Sequence, residues 1–306
     1  MSATVADTPV DTKATTPETA DADRTAQKVI RNYQGMVAWP SVILAFALIA
    51  SFALVCTLGA MRIIPLWGGM ILNSLILYAI QTPLHEACHG NIAGRDGRWM
   101  WLNHLIGYLC GALLLHEYKA FRHMHLMHHR DTNDEELDPD HWVDVKHPLA
   151  VLFRCLTIVP YYHHFFFKQV ALKPDQPGNF KVAAHVIAAY WVLYSIAFWL
   201  IVFGYWREVV MLWLLPHWLG SALIIFFFAW LTHQPHVAKE RYRDTNVFLV
   251  NGPLAKVVDW LYLFQNFHLI HHLYPRIPFY LYRKVFSELR PVLEKQGSRI
   301  YPLTGH

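Results

Sequence analysis

The sequence predicts an all-α integral membrane protein: four transmembrane helices in two hairpins, closed on the cytoplasmic side by a helical cap rich in histidine. Three observations predict it. Hydrophobic residues fill 55% of the 306 positions and charged residues only 16%, against about 25% in a typical soluble domain. Four apolar stretches, residues 36–59, 66–84, 182–204 and 209–231, reach roughly the ~20 residues that cross a bilayer. Lys and Arg collect outside the two short links between them, which hold one each, Arg62 and Arg207.

Taken in order, residues 1–27 are rich in Thr, Ala and Asp and poor in large apolar side chains. Such a segment buries too little surface to offset ordering entropy, so it is expected to be a disordered tail ahead of one membrane domain, residues 28–306. It is acidic and lacks an apolar core segment, unlike a secretory signal. Nearly a hundred residues separate the second and third spans and some seventy-five follow the fourth. Both carry most of the basic residues (Arg95, Arg122, Arg130 and Lys168; Lys239, Arg243, Arg283 and Arg290), as does the tail (Arg24, Lys28, Arg31). The positive-inside rule then places both termini and the long middle segment in the cytoplasm. Residues 99–115 contain Asn103 and His104 and read as a short helix buried against the bundle. Residues 149–167 mix Arg154, His163 and His164 with aromatics and read as a helix in the interface. Residues 278–293 alternate apolar and basic positions and are expected to pack under the cytoplasmic face.

The topology gathers the histidines. His85-Glu86-Ala87-Cys88-His89 begins where the second span ends, and His85 and His89 share a helix face. His125-Leu126-Met127-His128-His129 and His268-Leu269-Ile270-His271-His272 repeat one H-x-x-H-H spacing, which puts three rings within about one helical turn. His233 and His236 lie where the fourth span exits. All fall on one membrane face, and imidazole is the commonest metal ligand. His104, His116, His123, His147, His163, His164, His185 and His217 lack partners in this pattern and read as packing, interfacial or solvated residues.

Two other chemistries compete. His85 through His89 fits H-E-x-x-H, in which two histidines hold zinc and the glutamate acts as base, as in an intramembrane protease. That site needs three protein ligands and would leave both H-x-x-H-H clusters idle. A metal transporter would line a path across the bilayer, whereas these histidines share one face. Nine imidazoles suit two ions, with Fe, Cu or Zn favoured by that donor. No basic run resembles a nucleic-acid patch. Cys56, Cys88, Cys110 and Cys155 form no CxxC pair, so neither a disulfide framework nor an iron–sulfur site is indicated.

At these motifs the chain resembles the membrane-bound fatty acid desaturase and hydroxylase superfamily, over about residues 84–282. Within it the match is closest to cyanobacterial-type β-carotene ring hydroxylases, through HLMHH with TND and DPDH (His125 to His141), FFFK at Phe165 to Lys168, and QNFHLIHHLYPRIPFYLY at the third box. The resemblance implies two iron ions held by His85, His89, His125, His128, His129, His268, His271 and His272, with His233 as the further ligand and His236 behind it. Glu86, Asp138 and Asp140 become acceptors that orient ligand rings, and Asn266 a group for a metal-bound water. It implies O2 as co-substrate and a lipid-soluble substrate, most closely a carotenoid ring to be hydroxylated, with acyl-lipid or acyl-CoA desaturation as the alternative. No haem, flavin or iron–sulfur motif is present, so electrons are expected from a separate ferredoxin- or cytochrome-like donor docking on the basic face.

Overall fold

The structure, a computed structural model, describes residues 17–172 and 179–303. Its first helix, α1 (Pro17–Ile30), begins within the stretch expected as a tail, of which residues 1–16 lie outside the described residues. Ala22, Ala26 and Ile30 recur every four residues and form a narrow buried stripe. Small side chains bury little, yet one stripe suffices when a partner helix is already in place.

Helices α2 (Trp39–Ala60) and α3 (Leu66–Cys88) make the first hairpin. The third expected span begins in α8 (Asn179–Leu200), and the fourth comprises α9 (Trp206–Val209), α10 (Leu215–Ile224) and α11 (Leu231–His233) joined by π-helical turns. Between α8 and α9 the chain turns at Gly204, whose φ of 96° a side-chain-bearing residue rarely adopts. Both hairpin tips meet, with Arg62 donating to Glu208 at 2.9 Å. The other ends return to the histidines: Ala183 and Val186 pack with Met124 and Met127, and His233 closes the fourth segment.

By length and composition two helices could cross a membrane, Trp39–Ala60 and the continuous apolar run Lys181–His233. Their outward surface is greasy: Ile43 is 69% exposed, and Trp191 and Phe203 are 72% exposed. Soluble proteins rarely leave contiguous apolar faces of this kind in water. Inside, the helices approach closely where side chains are small. Gly220 of α10 sits where an added Cβ would lie 3.1 Å from the Ser74 carbonyl of α3. Asn73 donates to the Leu212 carbonyl at 2.7 Å, filling a backbone acceptor inside the bundle.

The cap starts with α4 (Met100–Leu113), the short helix expected at 99–115, which buries Asn103, Ile106 and Gly107 against α3 and leaves Trp101 and Leu105 outward. Asn103 and the Tyr118 hydroxyl both donate to the Ala87 carbonyl at 2.9 Å, which ties α4 and the start of the next helix to the end of α3. Helix α5 (Tyr118–Arg130) follows, capped by the Glu117 carboxylate on the Ala120 N–H at 2.6 Å. The single helix expected over 149–167 is two, α6 (Pro148–Leu156) and α7 (Ile158–Phe166). Pro160 has no N–H for the Leu156 carbonyl. The Trp218 indole donates there instead, at 2.6 Å.

The last part holds α12 (Ala255–Leu261), α13 (His268–Leu273) and α14 (Tyr282–Lys295). Tyr282, Val285, Phe286, Leu289 and Leu293 of α14 form the buried stripe and pack with α1 and α13, as the pattern at 278–293 suggests. One departure from an all-α chain is a two-stranded parallel sheet, β1 (Asn246–Leu249) beside β2 (Arg299–Pro302). Val247, Phe248 and Leu249 are buried there, and the pairing with β2 gives their backbone groups hydrogen-bond partners.

Candidate metal centre

Each histidine is delivered by a helix end. His85 lies in the last turn of α3 and His89 caps it; His125, His128 and His129 lie on α5; His233 ends α11; His268, His271 and His272 line α13. All nine converge, and they do so as two groups. The ring nitrogens of His85, His89, His125, His129 and His271 lie within 4.8 Å of one another, as do those of His128, His233, His268 and His272. The groups abut, with the His129 and His272 rings stacked at 4.3 Å.

The two H-x-x-H-H boxes divide in opposite senses. In α5 the i, i+4 pair His125 and His129 joins the five-histidine group, and His128 joins the four. In α13 the pair His268 and His272 joins the four, and His271 the five. Positions four apart differ by about 40° around a helix, whereas the intervening i+3 ring points roughly 60° to the other side. Each helix therefore feeds both groups.

The donor chemistry fits two cations. The His128 Nδ1–H is held by Asp138 at 2.8 Å, and the His268 Nδ1–H by the Gln265 amide oxygen at 2.8 Å. Each such bond leaves the ring's Nε2 with a lone pair. Yet His128 Nε2 lies 3.2 Å from His272 Nε2, and His268 Nε2 lies 3.1 Å from His233 Nε2. His89 and His125 approach through Nε2 at 2.8 Å, His125 and His129 at 3.1 Å. Two lone pairs facing one another at such distances repel unless a positive ion lies among them or one ring of the pair turns an N–H toward the other, and a cluster of nine rings at this spacing suits a cation. His271 Nε2 is buried without a hydrogen-bond partner, and its Nδ1 meets the Tyr282 hydroxyl at 3.0 Å.

Burial also sets the protonation state. Desolvation first, and neighbouring imidazoles second, hold His89, His125, His129, His233, His271 and His272 well below the usual 6.5, and push His85 down to about 3. At neutral pH these rings are uncharged, the form that binds metal.

Of the expected accessory residues, Asp138 touches a ring directly. It also accepts the Asn133 and Asp140 N–H groups at 2.7 and 2.8 Å, which aim its carboxylate. Asp140 stands 3.7 Å from His128 Nδ1 and accepts the Tyr162 hydroxyl. Glu86 is placed otherwise: its bonds run to Ser41 at 3.1 Å, Asn91 at 3.0 Å and the Phe279 N–H. Burial raises its carboxyl to about 8. It ties α2, α3 and the chain before α14 together, which removes the base of the zinc-protease alternative. Asn266 points to the Phe248 carbonyl and Asp259, at 3.1 and 3.0 Å, away from both groups. His236 bonds the Trp230 carbonyl at 3.1 Å and belongs to neither group.

Gln265, Tyr282 and Asp244 also meet ligand rings, from positions outside the histidine motifs. Asp244 lies 3.8 Å from His272 Nδ1. Gln265 precedes His268 by three positions, a spacing that could have drawn attention; Asp244 and Tyr282 carry no such local sign.

Beneath the histidines a cavity opens into the bundle. His85, His125, His128 and His268 line one side, and Phe121, Met124, Ile158, Ile224 and Phe228 make an apolar wall. A smaller cavity continues it past His116 and Tyr162 to Phe166 and Tyr190.

A family model described as fatty acid desaturase matches residues 62–304. An sn-1 oleoyl-lipid 12-desaturase of Picosynechococcus sp. is 25% identical, across 83% of this chain and 76% of its own length. A dihydrorhizobitoxine desaturase of Bradyrhizobium elkanii is 24% identical, across 75% of this chain and 69% of its own. A fatty acid conjugase of Calendula officinalis is 23% identical, across 68% of this chain and 63% of its own.

Proposed function

The chain belongs to the fatty acid desaturase family, and on that premise we propose that it is a two-iron, O2-dependent oxidoreductase that desaturates the acyl chain of a membrane lipid. One observation carries the reading: nine histidines in a group of five and a group of four, floored against an apolar cavity. The five would hold one iron and the four the other. When bound, such a pair supplies O2 activation and removal of hydrogen from unactivated C–H bonds, with electrons from a separate ferredoxin- or cytochrome-like donor.

This chain's own residues position and exclude. Asp138 and Gln265 fix the tautomers of His128 and His268, so the lone pairs point inward. Phe121 stacks parallel to His125, with centroids 6.1 Å apart, and keeps water from that flank. The apolar wall receives a hydrocarbon chain and directs its reacting carbons at the ring floor. The four helical segments would all cross the bilayer, with hairpin tips outside and both termini and the metal centre cytoplasmic; clustering of basic residues on the histidine side supports that orientation.

Hydroxylation of a carotenoid ring is the second reading, favoured by the residues flanking the second and third boxes, DPDH and PRIPFYLY. The named relatives act on other compounds and favour desaturation. Expression in one strain that makes both β-carotene and membrane lipids, with a working electron donor, separates them. New double bonds in the fatty-acid profile support the first reading. Hydroxylated pigment with unchanged fatty acids would replace it with the second, and zinc in place of iron would remove both.

A further inference from the structure

We infer that the substrate carries a neutral hydrogen-bonding group, a hydroxyl or a ketone, that docks on a polar patch of Gln81, Thr82 and Ser221 beside the histidine floor; the inference rests on the lipid-oxidising reading of this cavity. All three residues line the cavity wall. They are 6%, 1% and 3% exposed, and Gln81 Oε1, Thr82 Oγ1 and Ser221 Oγ are each buried without a hydrogen-bond partner. Next to them, His116 Nδ1 is also buried and unpartnered.

Leaving one buried polar atom unmet costs about 1–3 kcal/mol. With His85 Nδ1, five such atoms belong to residues that line this one cavity, a concentration that packing alone does not explain, since native proteins leave only a few such atoms per hundred residues. A void evolved to hold a plain hydrocarbon would carry apolar residues at these positions, because stable empty cavities are apolar. The wall shows that alternative elsewhere, in Ile158, Ile224 and Phe228. Apart from the histidine floor with Gln265, and the Asp140–Tyr162 pair, the polar lining consists of Gln81, Thr82, Ser221 and His116.

Geometry places the patch. Gln81 precedes His85 by four positions on α3, so the two share a face about 6 Å apart along the axis. His116 stacks on Phe121 at 5.4 Å and Phe121 on His125 at 6.1 Å, two ring steps from the floor. A group held there keeps the reacting carbon over the histidines and sets where along the chain oxidation falls. The chemistry of the group follows from the lining. The cavity has no Lys or Arg among its lining residues, and its one acid, Asp140, accepts the Tyr162 hydroxyl. A carboxylate or phosphate would find no counter-charge. Two hydroxyls and an amide oxygen offer both donors and acceptors, which suits a hydroxyl best.

The test uses iron-loaded full-length protein in detergent, titrated by thermal shift with a stearoyl lipid and with its positional hydroxystearoyl isomers. At least one hydroxylated isomer should bind about tenfold tighter than the parent, the effect of one net buried hydrogen bond. Thr82→Val combined with Ser221→Ala should bring that ratio close to one. The wild-type ratio is decisive by itself, so a variant that fails to fold costs nothing. Binding and oxidation of the parent with no preference for any isomer would overturn the inference alone, as expected if the patch holds only water. Binding of neither lipid class, and oxidation of neither once a working electron donor is added, would overturn the acyl-lipid reading together with it.

Discussion

On the proposed two-iron reading, replacing Asp138 by asparagine should loosen one metal site and spare the other. The carboxylate receives three N–H groups: His128 Nδ1 at 2.8 Å and the backbones of Asn133 and Asp140 at 2.7 and 2.8 Å. Asparagine keeps the shape but presents an NH2 to one of these donors, so at least one bond is lost. A hydrogen bond to a buried charged group contributes about 1.5–3 kcal/mol. Losing the carboxylate behind a ligand histidine typically lowers metal affinity 10–100-fold, and at about 1.4 kcal/mol per tenfold the two ranges agree. His128 belongs to the four-histidine group, whereas the five-histidine group contains no residue bonded to Asp138. Iron content measured after dialysis against a graded chelator should show one iron leaving about 10–100-fold more readily, with the second unchanged. Asp140→Asn should do less, since its carboxylate stands 3.7 Å from the ring. Loss of both irons in parallel from a chain with wild-type melting would refute the assignment of His128 to a separate group, and so would full retention of both.

Three further outcomes follow from the same geometry. His271→Ala and His272→Ala, one residue apart, should each abolish turnover while removing iron from different groups; identical residual spectra for the two would count against the split. Acidification should release metal and destabilise the fold, because burial depresses the ring pKa values below 6.5. The unfolded chain takes up protons as pH falls through about 6.5 while the buried rings do not, so stability present above that pH is lost below it. Melting that stays flat from about pH 7.5 to about pH 5 would contradict this. Gly107→Ala should destabilise by roughly 1–3 kcal/mol, since the new methyl would lie 2.5 Å from the buried Tyr118 ring; a melting temperature unchanged from wild type would show that the ring yields freely.

Much of this molecule is legible in the sequence because its largest signals are local. An apolar run declares a membrane-length helix by itself, and H-x-x-H-H places three rings near one another on any helix. The short helix near residue 107 and the amphipathic α14 were visible for the same reason. The helix at Pro17–Ile30 was not, because three small or medium side chains form its buried stripe, and packing against α14 and Tyr242 is what makes them worth burying. The break between α6 and α7 depended on Pro160 and on a Trp218 indole sixty residues away in the chain.

At the metal centre the division is sharper. The sequence by itself determined which nine histidines are available and that each helix presents them within one turn. Only the tertiary structure decided their partition into five and four, gave His128 to Asp138 and His268 to Gln265, and turned Glu86 and Asn266 elsewhere. The physical reason is one of degrees of freedom. Helical geometry fixes the angles between rings on the same helix, but which ring faces which across the cavity depends on how α3, α5, α11 and α13 are docked, and that is set by packing contacts among residues far apart in the chain.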